Sequence, residues 1–335
     1  MPLHRRAILG AIPGIIPGAM ALLAAPAVLR AQPAWPNRPV RLIVPFLAGG
    51  ATDVTARVLA ERLGQTLGQP FIVDNRGGAG GNIGADQVAK ADPDGHTLLM
   101  ATIGTASINQ FLYGNMPFDP QKDLASVALV NQVANGVMVH PKVAATTLAE
   151  LIALAKRQPG DMNYGTPGNG TSGHLSMEYL KSRAGIDLQH VPYRGSGAVI
   201  PALLAGQLEV VVDNLPSYLP HIQSGAVRLL AVTSKDRWFS VPQTPTVAEA
   251  GGAALANFEA VAWFGVQAPA RTPRPVLEKL AAAVLAACAE PAVQAKLREV
   301  GTEPRLLGPA EFDRFIAAEN AKWSEVVRVS GAKLE

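Results

Sequence analysis

Five times along this chain a short run gives way to a stretch almost bare of side chains: LAGGATD at 47–53, GGAGGNIG at 77–84, IGTASIN at 103–109, TPGNGTSGH at 166–174 and YRGSG at 193–197. That recurrence constrains the fold more than any other feature. The first case shows why. Arg41–Phe46 is apolar and rich in Val and Ile, as a short buried strand is. Ala48-Gly49-Gly50-Ala51 follows, and then Val54, Val58, Leu59, Leu63 and Leu67 fall along one helical face, with Thr52 or Asp53 placed to cap the helix. Strand, bare turn and helix then repeat. FIVDN (71–75), TLLMAT (97–102), MNYGT (162–166), LQHVPY (188–193), LEVVVDN (208–214) and VRLLAVTS (227–234) read as strands. Helical patterns cover Leu148–Arg157, Leu175–Arg183 and Val199–Leu204, with a short helix near His221. Such alternation predicts parallel sheets with helices on both faces.

Two apolar segments do not fit one sheet. VALVNQVANGVMVH (127–140) is too long for an ordinary strand, so the chain is expected to leave one sheet there and enter another. VAWFGVQAP (261–269) reads as the return crossing. Beyond it the pattern is helical: one helix opened by Pro275, one over Pro291–Val300, and one from Pro309 with Phe312, Phe315, Ile316, Trp323, Val326 and Val327 inward. These helices have no sheet of their own and are expected to return to the first. The layout is two α/β lobes, 32–133 with 262–335 and 134–261, joined by two chain crossings with a cleft between them.

The N-terminus has a separate logic. Arg5-Arg6 precedes an apolar run broken by Pro13, Pro17 and Pro26, and small residues surround Ala27 and Ala31. Residues 1–31 therefore read as an export signal of twin-arginine type, removed at Ala27 or Ala31. They hold three arginines and no acid, so the remainder carries 26 basic against 26 acidic side chains. Without a basic excess a nucleic-acid surface is not expected. Cys288 is the one cysteine, on a stripe with Leu277, Leu280, Val284 and Leu285, so an internal disulfide is impossible and a buried structural thiol is expected.

In open parallel sheets ligands bind beyond the carboxyl ends of the strands. Helix N-termini there present unpaired N–H groups and a partial positive charge, which suits an anion. The alternative is that the glycines only make turns, and the residues leave both readings open. GGAGGNIG does not match G-x-G-x-x-G, because Ile83 stands where the third glycine belongs, and no G-x-x-x-x-G-K-[ST] occurs. Neither a G-x-S-x-G elbow nor a zinc-binding spacing is present, so no cofactor and no catalytic residue is expected. His174 is either a base or a hydrogen-bonding partner within its loop. Asp213-Asn214 either meet a ligand or cap the next helix, and Trp263 either lines the cleft or packs the core.

The segments WPNRPVRLIVPFLAGGATD, VDNRGGAGGNIGADQVAKADPDGHTLL, GNGTSGH, HVPYRGSG, DNLPSYLPHIQSGAVRLLAVTS and PTVAEAG resemble the Bug-type solute receptors of tripartite tricarboxylate transporters, over nearly all of the chain from Trp35. The resemblance implies a two-lobed, type II-like periplasmic-binding-protein architecture. It implies a monomeric periplasmic receptor that closes on a small organic anion (a dicarboxylate, tricarboxylate, amino acid or aromatic acid) and delivers it to permease subunits in the membrane. A ligand sensor for a histidine kinase and an exported enzyme are the alternatives. Carried over by position, the ligand contacts in the first lobe would be Phe46, Ala48, Gly49, Thr52, Asp53, Thr102, Gly104, Thr105 and Asn109. The second lobe would offer Thr166, Gly168, Asn169, Gly170, Thr171, His174, Tyr193, Gly195 and Asp213. The chain departs from the family pattern at Leu47 and Gly77, where proline is common.

Overall fold

The computed structural model describes residues 35–334; the signal-like segment 1–31, with its arginine pair and its cleavage alanines, lies outside them. The strands are β1 (Val40–Val44), β2 (Phe71–Asn75), β3 (Thr97–Thr102), β4 (Leu124–Val133), β5 (Asn135–Val139), β6 (Asn163–Thr166), β7 (Gln189–Pro192), β8 (Val210–Asn214), β9 (Arg228–Val232), β10 (Ala262–Pro269) and β11 (Glu303–Leu307). The helices are α1 (Ala51–Leu67), α2 (Asn82–Ala89), α3 (Asn109–Leu112), α4 (Leu148–Arg157), α5 (Ser172–Ala184), α6 (Ser196–Leu204), α7 (Leu219–Gln223), α8 (Val247–Ala250), α9 (Arg274–Ala289), α10 (Pro291–Glu299) and α11 (Pro309–Ser330).

They build two sheets, ordered β2-β1-β3-β10-β4-β11 and β7-β6-β8-β5-β9. The neighbours of β1 and of β6 are parallel to them, as the alternation predicts. The sheets are nevertheless mixed. β10 runs antiparallel to β3 and β4, and β5 antiparallel to β8 and β9. The reason is the crossing itself. Only Ala134 separates β4 from β5, so the chain passes straight from the carboxyl edge of one sheet into the other. It must enter from the side where the parallel strands end, and therefore runs against them. β10 makes the same entry in the opposite sense. Each sheet thus receives its antiparallel strand from the other lobe, at the same place in the strand order.

Three further expectations are corrected. The chain is not wholly helical after the second crossing: β11 pairs antiparallel with β4 at the sheet edge, although Pro304 lies within it. IGTASIN is no turn, because β3 passes directly into a π-helical turn over Gly104–Ile108 that continues as α3. Helices α5 and α6 begin at Ser172 and Ser196, three residues before their apolar patterns do. Ser and Gly weaken a helix interior but are tolerated in a first turn, whose N–H groups are unpaired in any case. Both helices therefore reach further into the glycine-rich loops than their apolar spacing indicates.

The core follows the patterning. Leu59 and Leu63 of α1 and Leu280, Val284 and Cys288 of α9 are fully buried together with β1, β3 and β10. Burial pushes the Cys288 thiol up to about 12, which leaves it an inert packing group. Helix α11 packs against both β4 and α5. The indoles of Trp263 and Trp323 both donate to Glu319 Oε2 at 3.0 Å. Among the described residues no helix is long and apolar enough to cross a membrane.

Candidate functional site

The carboxyl ends of β1, β3, β6 and β8 and the amino end of β10 meet around one cavity between the sheets. Its volume for a water-sized sphere is about 30 Å³, room for little more than a water molecule with the lobes in this position. The first lobe contributes Phe46, Leu47, Gly50, Thr52, Asp53, Thr102 and Ile103, and β10 adds Ala262 and Phe264. The second lobe contributes Pro167, Thr171, Ser172, Ser196 and Asn214. Helices α1, α5 and α6 all start here. The N–H groups of Thr52, Ser172 and Ser196 have no partner among the described residues, so three first turns offer donors to whatever occupies the cavity.

The three starts differ in charge. The N-cap of α1 is Gly50, not Thr52 or Asp53 as expected, and it makes no side-chain cap bond. Asp53 lies in the first turn and folds back. Its Oδ2 accepts from Gly49 N–H at 3.1 Å and from Arg57 Nε at 3.1 Å; its Oδ1 accepts from Arg57 Nη2 and Asn75 Nδ2, both at 3.0 Å. Four bonds use the acceptor capacity of a carboxylate. Burial alone would raise this carboxyl; the bonds from Arg57, Gly49 and Asn75, with the Arg57 charge, outweigh it and hold Asp53 below its ordinary value. Helices α5 and α6 have no acid in their first turns. Thr171 caps α5, accepting from His174 N–H at 3.4 Å and donating to the Gly168 carbonyl at 2.8 Å.

Below the 166–170 loop lies a column of rings. Tyr164 stacks on His190 with centroids 4.8 Å apart, and His190 on His174 at 4.2 Å. His174 Nδ1 accepts from Gly170 N–H at 3.2 Å, and His190 Nε2 is 2.7 Å from Thr166 Oγ1. Burial first and then the Lys181 charge lower His174 to about 4. Burial, then the charges of His174 and Lys181, lower His190 to about 3 against an opposing pull from Glu178. Both rings are therefore neutral near neutral pH. His174 is a loop-holding group, not a base facing the cavity.

Of the residues carried over by resemblance, Phe46, Thr52, Asp53, Thr102 and Thr171 line the cavity. The others stand behind it or join the lobes. Thr105 exchanges bonds with Thr102, donating its hydroxyl to the Thr102 carbonyl at 3.1 Å. Asn109 Nδ2 donates to Asn82 Oδ1 at 2.6 Å and to the Gly80 carbonyl at 3.2 Å. Thr166 hydrogen-bonds with Gly168, and Tyr193 N–H donates to the Thr166 carbonyl at 3.0 Å. Asp213 is buried outside the cavity lining, raised to about 7 by burial against hydrogen bonds from Asn214 N–H at 2.6 Å and the Tyr218 hydroxyl at 3.0 Å.

Ala48, Gly49, Gly104, Asn169, Gly170 and Gly195 lie where the lobes touch or beside that seam. Tyr113 donates to the Asn169 carbonyl at 3.3 Å, Leu47 N–H to the Arg194 carbonyl at 3.4 Å, and Ala51 N–H to Ser217 Oγ at 3.1 Å. Gly170 has φ +76°, and a Cβ there would collide with Asn109 Oδ1, so two positions assigned to the ligand face each other instead. The cavity residues absent from the carried-over set are Leu47, Gly50, Ile103, Pro167, Ser172, Ser196, Asn214, Ala262 and Phe264. Strand alternation identifies two of them: if Trp263 packs the core, as its 1 % exposure shows, Ala262 and Phe264 must face the other way.

The family model described as "Tripartite tricarboxylate transporter family receptor" matches residues 55–332. Protein BugT of Bordetella pertussis is 38% identical over 302 residues, covering 90% of this chain and 92% of its own. Among solved structures, Rpa4515 of R. palustris with adipate is 38% identical with a TM-score of 0.85, covering 89% of this chain and 98% of its own. MatC of Rhodopseudomonas palustris with bound malate is 32% identical with a TM-score of 0.82, covering 88% of this chain and all of its own. The matches run along nearly the whole described chain: this protein belongs to the receptor family of the tripartite tricarboxylate transporters.

Proposed function

We propose that this chain is an exported solute receptor that takes a small organic carboxylate into the interlobe cavity, leaves it chemically unchanged and presents it to the permease subunits of a tripartite tricarboxylate-type transporter in the membrane. The observation that carries the reading is the meeting of three helix starts with unpartnered N–H groups at one cavity between two lobes. A carboxylate seats best against α5 and α6, whose first turns hold no acid, with Thr171, Ser172, Ser196 and Asn214 as polar partners. The first lobe and β10 bring apolar Phe46, Leu47, Ile103, Ala262 and Phe264 to the same cavity, beside Thr52, Asp53 and Thr102. One hydrogen bond to a charged group is worth about 1.5–3 kcal/mol net; three or four, less the ordering they require, support affinity near the micromolar range, about −8 kcal/mol. Asp53 is the one acid or base on the cavity wall, and its oxygens are already occupied, which favours capture over catalysis. Two relatives solved with dicarboxylates, adipate and malate, support the same ligand class.

The test is thermal melting of residues 32–335 against acetate, succinate, malate, adipate, glutamate and benzoate, with recovery of the added compound. A carboxylate that binds the folded state raises the melting temperature and returns intact. Thr171→Val is expected to abolish that shift while lowering the melting temperature of the free protein only by the loss of a cap, about 1 kcal/mol. Absence of a shift with every acid at millimolar levels, or turnover of one of them, overturns the reading.

A further inference from the structure

We propose that Asn135 locks the Asn214 side chain as a hydrogen-bond acceptor towards the ligand cavity, so that the receptor favours carboxylates that also carry a hydroxyl or ammonium group over those that do not. This preference rests on the carboxylate-receptor reading above. Asn135 opens β5, directly after the first chain crossing, and is fully buried. The ladder between β5 and β8 sets it opposite Asn214, and cross-strand partners carry their side chains on one face of the sheet. Asn214 lines the cavity; Asn135 stands behind it. A backbone group orients the Asn135 amide. Its Nδ2 donates to the Ala260 carbonyl at 3.3 Å and to Ser176 Oγ at 3.2 Å. A carbonyl only accepts, so the nitrogen is fixed on that side and Oδ1 on the other. There Oδ1 accepts from the Ser172 hydroxyl at 3.1 Å and from Asn214 Nδ2 at 2.8 Å. The Asn135 N–H is held as well, donating to Thr233 Oγ1 at 3.0 Å.

These bonds dictate what a ligand meets. Asn214 Nδ2 has two hydrogens; one goes to Asn135 Oδ1 and the other to Ser172 Oγ at 3.3 Å. Asn214 is left with Oδ1, which has no partner among the described residues. Ser172 spends its one hydroxyl hydrogen on Asn135, and Thr171 spends its own on the Gly168 carbonyl at 2.8 Å. Of the polar side chains that the second lobe brings to the cavity, Thr171, Ser172 and Asn214 therefore present lone pairs, and Ser196 alone keeps a hydrogen to give. Donors for a carboxylate come instead from the main chain, at the N–H groups of Ser172 and Ser196. A ligand made only of carboxylates and hydrocarbon leaves the Asn214 oxygen unpaired, and an acceptor shut away from water without a partner is costly. A hydroxyl or ammonium group beside the carboxylate supplies the missing hydrogen. Asn135, Ser172, Ser176, Asn214, Thr233 and Ala260 all lie between the two crossings, within the second lobe. The arrangement is thus in place whether the lobes stand apart or together.

Asn135 is thus a positioning residue, and the ratio of affinities for paired ligands is the readout. Calorimetric titration with malate against succinate, and with glutamate against glutarate, reads it directly, because the members of each pair differ by a single donor group. The donor-bearing member is expected to bind about tenfold more tightly. In Asn214→Ala the acceptor is gone, and the ratio is expected to fall to about one. Asn135→Ala frees the Asn214 amide to turn a hydrogen towards the cavity, so succinate is expected to gain on malate there. A merely structural role for Asn135 would weaken both members of a pair alike; an unchanged ratio in a folded Asn135→Ala protein therefore overturns the proposal. If a variant does not fold, the wild-type ratios decide. Equal affinities within either pair in the wild type overturn this inference and leave the receptor reading standing; failure of every acid to bind overturns both.

Discussion

Helices α1 and α5 begin at the same cavity from opposite lobes and are furnished in opposite ways. The start of α1 carries Asp53, buried and bonded to Gly49, Arg57 and Asn75. Its field is consumed inside the protein, where it holds the 46–50 loop to β2 through Asn75, which also donates to the Phe46 carbonyl at 3.0 Å. The start of α5 carries no acid; Thr171 caps it and His174, kept neutral, braces its loop from below. A helix dipole acts only over the first turn and is cancelled by a carboxylate placed there. The comparison teaches that two similar strand–turn–helix units can be furnished differently: one start is filled by an internal acid that stiffens a wall, the other holds no acid in its first turn.

The harshest way to break that comparison is Gly173→Ala. A Cβ at this position in the first turn of α5 would collide with the Val212 carbonyl. The helix start must then lift from β8, with a loss of about 3 kcal/mol in urea unfolding and no measurable carboxylate binding by calorimetry. Wild-type affinity in a folded Gly173→Ala protein would mean that α5 does not place the ligand.

A gentler variant sharpens the other side. Asp53→Asn removes a buried charge from the α1 start and leaves Arg57 without its carboxylate, with only Asn75 Oδ1 at 3.3 Å. Stability is expected to fall by about 1–2 kcal/mol, while carboxylate affinity is unchanged or stronger, because a negative charge has left the cavity wall. Because Asp53 lies below its ordinary value when folded, its contribution is present above the unfolded value of 3.8 and is lost as pH falls through the folded one. Variant and wild type should therefore converge in melting temperature at acid pH. A large affinity loss in Asp53→Asn would make Asp53 a ligand contact after all.

The smallest effect concerns the ring column. Folded His174 and His190 protonate only at about 4 and 3, against 6.5 when unfolded, so the unfolded chain binds more protons between those limits. Their stabilisation is complete above 6.5 and declines as pH falls towards 4. Asp213 acts in the opposite sense, because its raised value favours the folded state increasingly as pH falls from about 7 towards 3.8. Melting of His190→Gln beside wild type isolates the histidine part: the difference should shift in favour of the variant on going from pH 6.5 to pH 4. A constant difference would place the protonation elsewhere.

Much of this was legible in the residues. Val/Ile-rich runs of strand length, followed by bare turns and one-faced helices, specify βα units because burial and backbone sterics act locally. The over-long segment 127–140 announced a crossing, since no single strand needs that length, and the order of the motifs announced the family. Thr52 was recognisable as a short polar group near a helix start, whereas Thr171 came only through the family resemblance. The rest was not legible for identifiable reasons. Gly170 and Thr171 are neighbours in one loop, yet Gly170 meets Asn109 of the other lobe while Thr171 faces the cavity. Close approach of a second backbone and close approach of a ligand demand the same small residues, so composition does not separate them. Ser172 and Ser196 were hidden because a helix start without apolar residues carries no periodic signal.

What the chain alone determined, then, is its βα units, the two passages between lobes and the small-residue corners that end the strands, all consequences of side-chain size and polarity along a few consecutive positions. The tertiary structure decided the direction of β5 and β10, which of those corners touch each other across the seam, and which helix start has its acid bonded back into its own lobe. Those outcomes depend on groups far apart in sequence, such as Asp53 with Asn75, Asn109 with Gly170, and Gly173 with Val212, whose contacts exist only once the chain has folded.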